Sequence, residues 1–531
     1  MPSPLSGAAR RCWTIARLTF QEGTRSRLTA VLVGVMVAAI LLIPLRYGSL
    51  TSVKSVLDGK FPDKSPAAQV QTVLEYTLGT ISMTLSLLTV LLTCGVVCHD
   101  IERRSLFTTM AKPVARWQYI LGRWVGVCLI QAALIGLCGL ALYGTVRALR
   151  YPYASAAASL QKELPASLVA RAVEMRFNRL ALADELAGLS ASQQAAYDRW
   201  ESVRFRLDRL DHTVLSSRAR CRPADIDERL ATLAQQREQE LRRSGQYDLQ
   251  VREHGEPQVA AGILEYAKGQ LEDAENGERL TWRFEDLPKP GDLRAGESVQ
   301  FRIRLSASNA IALEGLQRDV EVLNPATGEA EPLRMLAPVD APATVDIPVS
   351  MITPDGTLDI TFINEPPRDP AGSVERIESG VHISLHEVYL LYRVGRFVPN
   401  FARGLAMMWL LQAFLAAIAM MASSWLSFPI ACLWCVVLYL MGMMARFFAS
   451  DAMARTEGAL TNLGEMVLRG MAAVIPSFEL INPAPPLVAG VEIPWDHLLT
   501  TAGIFIVLWG GVALAIAAVI FTRRELARLV A

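Results

Sequence analysis

The chain has 531 residues, with 52 Lys and Arg against 52 Asp and Glu, and 52% of its residues are hydrophobic. A mean hydropathy of +0.28 with 20% charged residues excludes an ordinary soluble enzyme, and the absence of a basic surplus argues against a nucleic-acid binder. The zero balance hides two bodies: residues 149–396 hold 30 basic and 39 acidic side chains, while the remainder holds 22 and 13. One is a polar, acidic block. The other is apolar with basic edges, the composition of membrane spans with anchored ends. Seven of the eight cysteines lie in or beside apolar runs, and Cys221 alone lies in the polar block. That block therefore holds no internal disulfide, and Cys221 is its one thiol for labelling.

At the N-terminus, "AARRCWTIARLTFQEGTRSR" sets Trp13, Ala16 and Phe20 on one side of a helix, with Arg11 and Arg17 available to headgroups. It reads equally as an amphipathic helix lying on a membrane face or as a basic flank to the first span. Six segments are long and apolar enough for a hydrocarbon core of about 30 Å. They are Leu28–Leu45, Val73–Val97, Gln118–Thr145, Gly404–Ser424, Phe428–Ala445 and Leu499–Phe521. The first follows a basic stretch, but no small-residue cleavage pattern comes after it, so it reads as an uncleaved span. Glu75 and Arg123 stand within a turn or two of span ends and read as interfacial anchors. Thirteen Lys and Arg fall in the N-terminal segment, the loop after the second span and the C-terminal tail. Four fall in residues 46–72 and three in residues 446–498. The positive-inside rule puts the first set in the cytoplasm and residues 149–396 outside, although Arg147, Arg150, Arg393, Arg396 and Arg403 weaken the bias.

The polar block divides in two. Residues 158–245 place apolar side chains three and four apart, as at Trp200, Val203, Phe205 or Leu207, and Leu210, which predicts helical hairpins. A further helix follows Pro223 and ends at Gly245. Residues 246–279 fit no pattern. From about Leu280 the period becomes two, in "LTWRFEDL", "SVQFRIRLS", "RDVEVLN", "ATVDIPVS", "LDITFINE" and "VHISLHEVYLLYRV". The turns "PKPGD", "NPATGEA" and "TPDG" separate these runs, which predict a β-sandwich. The expected organisation is 1–148 with the interfacial helix and spans one to three, 149–279 helical, 280–396 a sandwich, and 397–531 with spans four to six. The fold class is then an α-helical membrane protein of six spans with an inserted α+β extracytoplasmic domain.

No phosphate loop, G-x-S-x-G elbow or H-E-x-x-H motif occurs, so no nucleotide or catalytic site of those types is expected on this chain. The best metal candidate is His382, His386 and Glu387, since residues four apart share a strand face. It lacks a third ligand nearby, and two surface histidines are the favoured reading. Cys432 and Cys435, like Cys94 and Cys98, lie in apolar spans and read as packing. The most informative polar stretch is "CHDIERRSLFTTMAKPVARW", residues 98–117, which joins two spans and carries Asp100, Glu102, Arg103, Arg104, Lys112, Pro113 and Arg116.

With its continuation "QYILGRWVG", this stretch resembles the segment after the second span of type-2 ABC exporter permeases. In that family an acidic-basic run, here Glu102–Arg104, precedes a small helix and a "KP" step, here Lys112-Pro113. An Arg, an aromatic and a "lGr" follow, here Arg116, Trp117 or Tyr119, and Gly122-Arg123. "IARLTFQEGTRSR" before the first span, "GRFVPNFARGL" before the fourth and "FTRREL" after the sixth are similar to the family in the same order. The resemblance covers the spans and their edges, under half of the chain. The inserted block departs from compact members and resembles the enlarged extracytoplasmic region of some bacterial permeases. It implies a multi-pass permease of a bacterial inner membrane, with no enzyme activity of its own. ATP and Mg would sit on a separate ABC ATPase subunit, moved against Asp100, Glu102, Arg103, Arg104, Lys112, Pro113 and Arg116 as a coupling loop. A second permease copy, identical or not, and membrane lipid are the other implied partners, with no nucleic acid. Loop 446–498 also fits the family, with "LTNLGEMVLRGMAAVIPSF" dipping toward the outer leaflet. The rival is a membrane-anchored extracytoplasmic sensor or scaffold, disfavoured because no signalling domain follows the sixth span. An intramembrane enzyme is least expected, as the spans lack paired carboxylates.

Overall fold

Two compact units make up the computed structural model. The first is residues 1–165, 189–216 and 396–531, and the second 166–188 and 217–395. The structure describes residues 4–47, 52–58, 65–102, 115–174, 182–275, 277–293, 298–307, 316–337, 342–364, 381–449 and 478–523.

In the first unit, helices α1 (Pro4–Arg25) and α2 (Arg27–Tyr47) are followed by the single turn α3 (Val53–Leu57). Then come α4 (Pro66–Glu102) and α5 (Arg116–Gln161). Five described helices are long and apolar enough to cross a membrane: Thr29–Arg46, Pro66–Ile101, Arg116–Gln161, Phe397–Ser423 and Trp495–Arg523. The remaining expected span lies on a helix whose apolar part, Phe428–Met443, is shorter. This is a membrane-embedded, multi-pass chain with a separate β domain. Helices α4 and α5 have 37 and 46 residues. At 1.5 Å per residue they are about 55 and 70 Å long, well beyond a hydrocarbon core. Hydropathy marks only the lipid-length stretch and does not show that each helix continues past it.

The far end of α5 carries α8 (Ala191–Thr213), which follows the short α6 (Ala166–Glu174) and α7 (Ala183–Ala187). Tyr197, Trp200, Val203, Leu207 and Leu210 of α8 are buried, as their spacing requires, whereas Phe205 is exposed. Arg150 of α5 forks onto Asp211 at 2.8 and 2.7 Å. The helices expected over 149–279 are thus divided between the two units.

The centre of the bundle is α12 (Phe397–Ser423), packed on α4 and α5. Gln412 and Trp409 on it bond across helices, as hydrocarbon favours. Gln412 accepts from Thr89 at 2.8 Å and donates to Ser86 at 3.1 Å. Trp124 and Trp409 donate to the Ala413 and Cys128 carbonyls, each at 2.9 Å. Next comes α13 (Phe428–Ala449). Most of 446–498 lies outside the described residues, but Phe478–Ile481 and α14 (Ala484–Val488) are short helical turns. Phe478 seats over Gly442, where an added Cβ would come within 2.4 Å of its ring. Asn400 holds the backbone of Val491 and Ile493 at 2.7 and 2.8 Å. The last span runs as α15 (Trp495–Ala502), a π-helical stretch Gly503–Gly510, and α16 (Gly511–Arg523).

The second unit begins its sheet earlier than expected, with β1 (Ser216–Cys221) inside the run read as helices. Its "SSRARC" has no apolar alternation to announce a strand. Helix α9 (Ile226–Arg243) is the one expected between Pro223 and Gly245, and α10 (Gln246–His254) and α11 (Glu256–Glu272) fill the stretch that had fitted no pattern. The strands are β2 (Asp273–Ala274), β3 (Arg279–Phe284), β4 (Ser298–Ala307), β5 (Leu316–Leu323), β6 (Ala330–Ala337), β7 (Pro342–Pro348), β8 (Leu358–Ile363), β9 (Val381–Ile383) and β10 (Tyr389–Arg396). One sheet has the order β1-β10-β4-β9-β2, with β7 also on β4, and the other β3-β8-β5-β6. Phe301, Ile303 and Leu305 of the first sheet share one core with Trp282, Phe284, Val320, Ile360 and Phe362 of the second. That is the expected sandwich, two inner faces interdigitating. β6 is an added strand, concealed in sequence by Pro332. Gly356, at φ +80, turns β7 toward β8 where an added Cβ would meet the Leu287 carbonyl at 2.3 Å.

"VHISLHEVYLLYRV" is not one strand. A 3₁₀ turn at Leu385–Glu387 separates β9 from β10. His382 and His386 therefore do not share a strand face, which removes the premise of the metal candidate. His382 instead lies 2.8 Å from Asp273.

Candidate functional site

Of the seven residues singled out in the segment between α4 and α5, Arg103, Arg104, Lys112 and Pro113 lie outside the described residues, as does the side chain of Glu102. Asp100 and Arg116 are described, and each is anchored in the bundle at one end of the segment.

Asp100 stands in the last turn of α4, and Glu22 in the last turn of α1. Both are carboxylates at helix C-termini, where the backbone dipole repels them. Arg123, two turns into α5, resolves both conflicts. Its guanidinium meets Asp100 at 2.5 Å through one terminal nitrogen. The other meets Glu22 at 2.5 Å and Thr19 Oγ1 at 3.1 Å. Tyr119 donates its hydroxyl to Asp100, and its ring stacks on Phe521 at 5.7 Å. Arg123 is 5% exposed, against 16% for Asp100 and 47% for Glu22. It is thus a buried tie between three helices, not the headgroup anchor that its place near a span end suggested. Burying a charge is tolerable here because it is paired and hydrogen-bonded.

Arg116, the first residue of α5, donates to the Phe521 and Thr522 carbonyls at 3.2 and 2.6 Å. It so satisfies the C-terminal carbonyls of α16 with a cation, the favourable sign for that end. Glu22 of α1, Asp100 of α4 and the last carbonyls of α16 are all held by arginines of the first two turns of α5.

Close backbone approach brings α1 into this site. A Cβ on Gly122 would fall 2.8 Å from Ile15 Cβ and 3.0 Å from the Cys12 carbonyl. One on Gly126 would fall 2.5 Å from Thr19 Cβ and 2.7 Å from the Ala16 carbonyl. Cys12 also reaches the Gln118 carbonyl at 3.6 Å. The register advances in the same direction on both helices, so α1 runs alongside α5 for about three turns. Of the apolar face expected on α1, Ala16 meets this glycine-bearing face, while Trp13 is 59% exposed. Glu22 and Thr19 had no local signal in the sequence, because Arg123 is 101 residues from one and 104 from the other.

Among the described residues no group of three or more His, Cys, Asp or Glu could hold a metal ion. The Cys221 thiol is buried, donates to the Glu285 carbonyl at 3.0 Å, and has its pKa pushed up to about 11, chiefly by desolvation. It is a poor labelling site. Comparison of the chain with protein-family models, with curated proteins and with solved structures finds no match in any of the three.

Proposed function

We propose that the chain is the membrane-spanning permease subunit of an ATP-driven transporter of the type-2 ABC exporter kind. Hydrolysis on a separate ATPase subunit, which holds ATP and Mg, is coupled through residues 98–117 to the helix bundle. The supporting observation is the anchoring of that segment at both ends. Asp100 ties it to α1 and α5, and Arg116 ties it to α16. A displacement imposed on residues 103–114 therefore acts on four helices, and the bundle responds as a two-state body whose populations the nucleotide shifts. In this reading the bundle has six spans, residues 149–396 are extracytoplasmic, and a second permease copy completes the path across a bacterial inner membrane.

The test is reversal of Arg103 and Arg104 together to Glu in the intact chain. Single exposed charges contribute about 1 kcal/mol or less, so Ala variants are near-silent while double reversal turns attraction into repulsion. The expected result is a stable, inserted chain that no longer copurifies with its ATPase or stimulates hydrolysis, and is restored by the opposite reversal on the partner. Failure of the wild-type chain to capture any ATPase in mild detergent would favour the rival receptor or scaffold.

A further inference from the structure

The second unit holds a groove of about 610 Å³ that the transporter reading does not use. One wall is a single face of α9, from its N-cap Asp225 through Glu228, Arg229 and Thr232 to Gln236. The opposite wall is the outer face of the four-stranded sheet. Thr281 and Arg283 of β3 line it, alternating with the buried Trp282 and Phe284, and Asp359 of β8 lies beside them.

Four of the groove's five charged side chains are paired within its own walls, and Glu228, exposed on the first turns of α9, has no ion-pair partner among the described residues. Arg229 meets Asp225 at 2.9 Å and donates to the Thr281 carbonyl at 2.8 Å. Arg283 forks onto Asp359 at 3.0 and 3.1 Å. A ligand carrying strong charge would have to compete with these pairs, and would gain from Glu228 only one exposed carboxylate, which water and salt screen. The apolar lining is only Leu233 and Leu271, too little to hold a hydrophobic molecule. What the walls retain is directional capacity. Each guanidinium has five N–H donors and each carboxylate about four acceptor sites, more than the pairs consume, and Thr232 and Gln236 add a hydroxyl and an amide. A neutral hydroxyl both donates and accepts, so it bridges an Arg–Asp pair without breaking it. Several hydroxyls on one rigid ring do so at both pairs at once. The volume lies within the range of small-molecule sites.

We propose that this groove binds a neutral saccharide. The inference does not rest on the transporter reading or on which side of the membrane the unit occupies. The test uses the full chain in nanodiscs free of sugar-headed detergent, which would itself compete. Chitohexaose, maltohexaose and cellohexaose are titrated by calorimetry. Saturable binding of at least one is expected, nearly unchanged between about 50 and 500 mM salt because a neutral sugar feels no long-range pull from the groove's charges. Thr232→Trp fills the groove from the exposed face of α9, one turn beyond Arg229, and should weaken binding at least about tenfold, since truncating or blocking a central contact commonly costs over 1 kcal/mol. Ala231→Trp, exposed about 100° round the same helix and outside the groove lining, should leave binding intact. Absence of binding by all three hexasaccharides overturns the proposal. So does binding that survives Thr232→Trp, or that Ala231→Trp abolishes equally.

Discussion

At the α4–α5 junction, Arg123 holds two carboxylates that stand at unfavourable helix ends. Arg123→Met removes the cation and leaves Asp100 facing Glu22. Breaking a buried pair in this way costs about 3–5 kcal/mol, and the half-exposed Glu22 places this case at the low end. Thermal unfolding of the detergent-solubilised chain should show the loss, and Arg123→Met combined with Asp100→Asn should recover part of it. Arg123→Lys is not conservative here, since one ammonium lacks the fork that reaches both acids. A melting temperature unchanged in Arg123→Met would refute the tie. At Cys221 burial acts on a thiol instead. A folded pKa of about 11 against 9.0 leaves about a hundredfold less thiolate at pH 8 than an exposed cysteine has. Maleimide labelling should be correspondingly slow and should rise about tenfold per pH unit up to that pKa. The sign for stability follows. The neutral thiol is favoured in the folded state, so its contribution is complete below pH 9 and is lost as pH climbs toward 11. Labelling of folded protein at the rate of an exposed thiol would show that Cys221 is not held as described.

At the scale of elements, the contact of α1 with α5 depends on a missing side chain. Gly126→Leu would drive a branched group into the Ala16 carbonyl, which is backbone and cannot swing aside. Overpacking of this kind costs about 1–3 kcal/mol, concentrated on one helix. Limited proteolysis should then cut within residues 1–25 while the remainder stays resistant. Gly144→Ala, on the same helix with nothing within 4 Å, should be neutral or slightly stabilising, since alanine is the better helix former. Equal sensitivity of both variants would remove the steric argument. The elements that were legible in sequence share one property, a local period. The strands β4 and β8 alternate between core and surface, and α8 repeats its apolar face every three or four residues. What escaped had none. β1 is built of Ser and Arg, β6 carries a proline, and the turn after β9 interrupts an unbroken alternation. The continuation of α4 and α5 beyond lipid length was hidden because hydropathy reports the solvent of a helix and not its end. The charge cluster was hidden for a different reason. Its members are ordinary surface residues in sequence, and only the crossing of α1, α4 and α5 makes them partners.

At the scale of the whole molecule, the division into two units decides where the chain can be cut. The apolar runs end before residue 149 and resume after 396, so a fragment such as 153–394 looks like a self-contained soluble body. The structure gives a reason to expect otherwise. Such a fragment keeps α8 but not the greater part of α5 or α4, against which α8 packs within the first unit. Tyr197, Trp200, Val203, Leu207 and Leu210, all buried in the intact chain, would then face water in a contiguous stripe. Burying a large apolar side chain is worth about 1.5–3 kcal/mol, so the stripe has a strong incentive to self-associate. A cut at 217–395 leaves α8 behind and retains both sheets with the core they share, together with α9, α10 and α11. The expected outcome is that 217–395 is a soluble monomer by sedimentation, with helix and strand in its circular dichroism, while 153–394 associates or precipitates. Substituting Trp200 and Leu207 with Gln in the longer fragment should restore a monomer, because it removes the stripe without touching the sandwich. If 153–394 is itself monomeric, α8 does not need the bundle, and the partition of residues 189–216 with the membrane helices is wrong. If 217–395 fails to fold, the sandwich depends on residues 166–188, the other part of its unit, and adding them back by a short linker should rescue it.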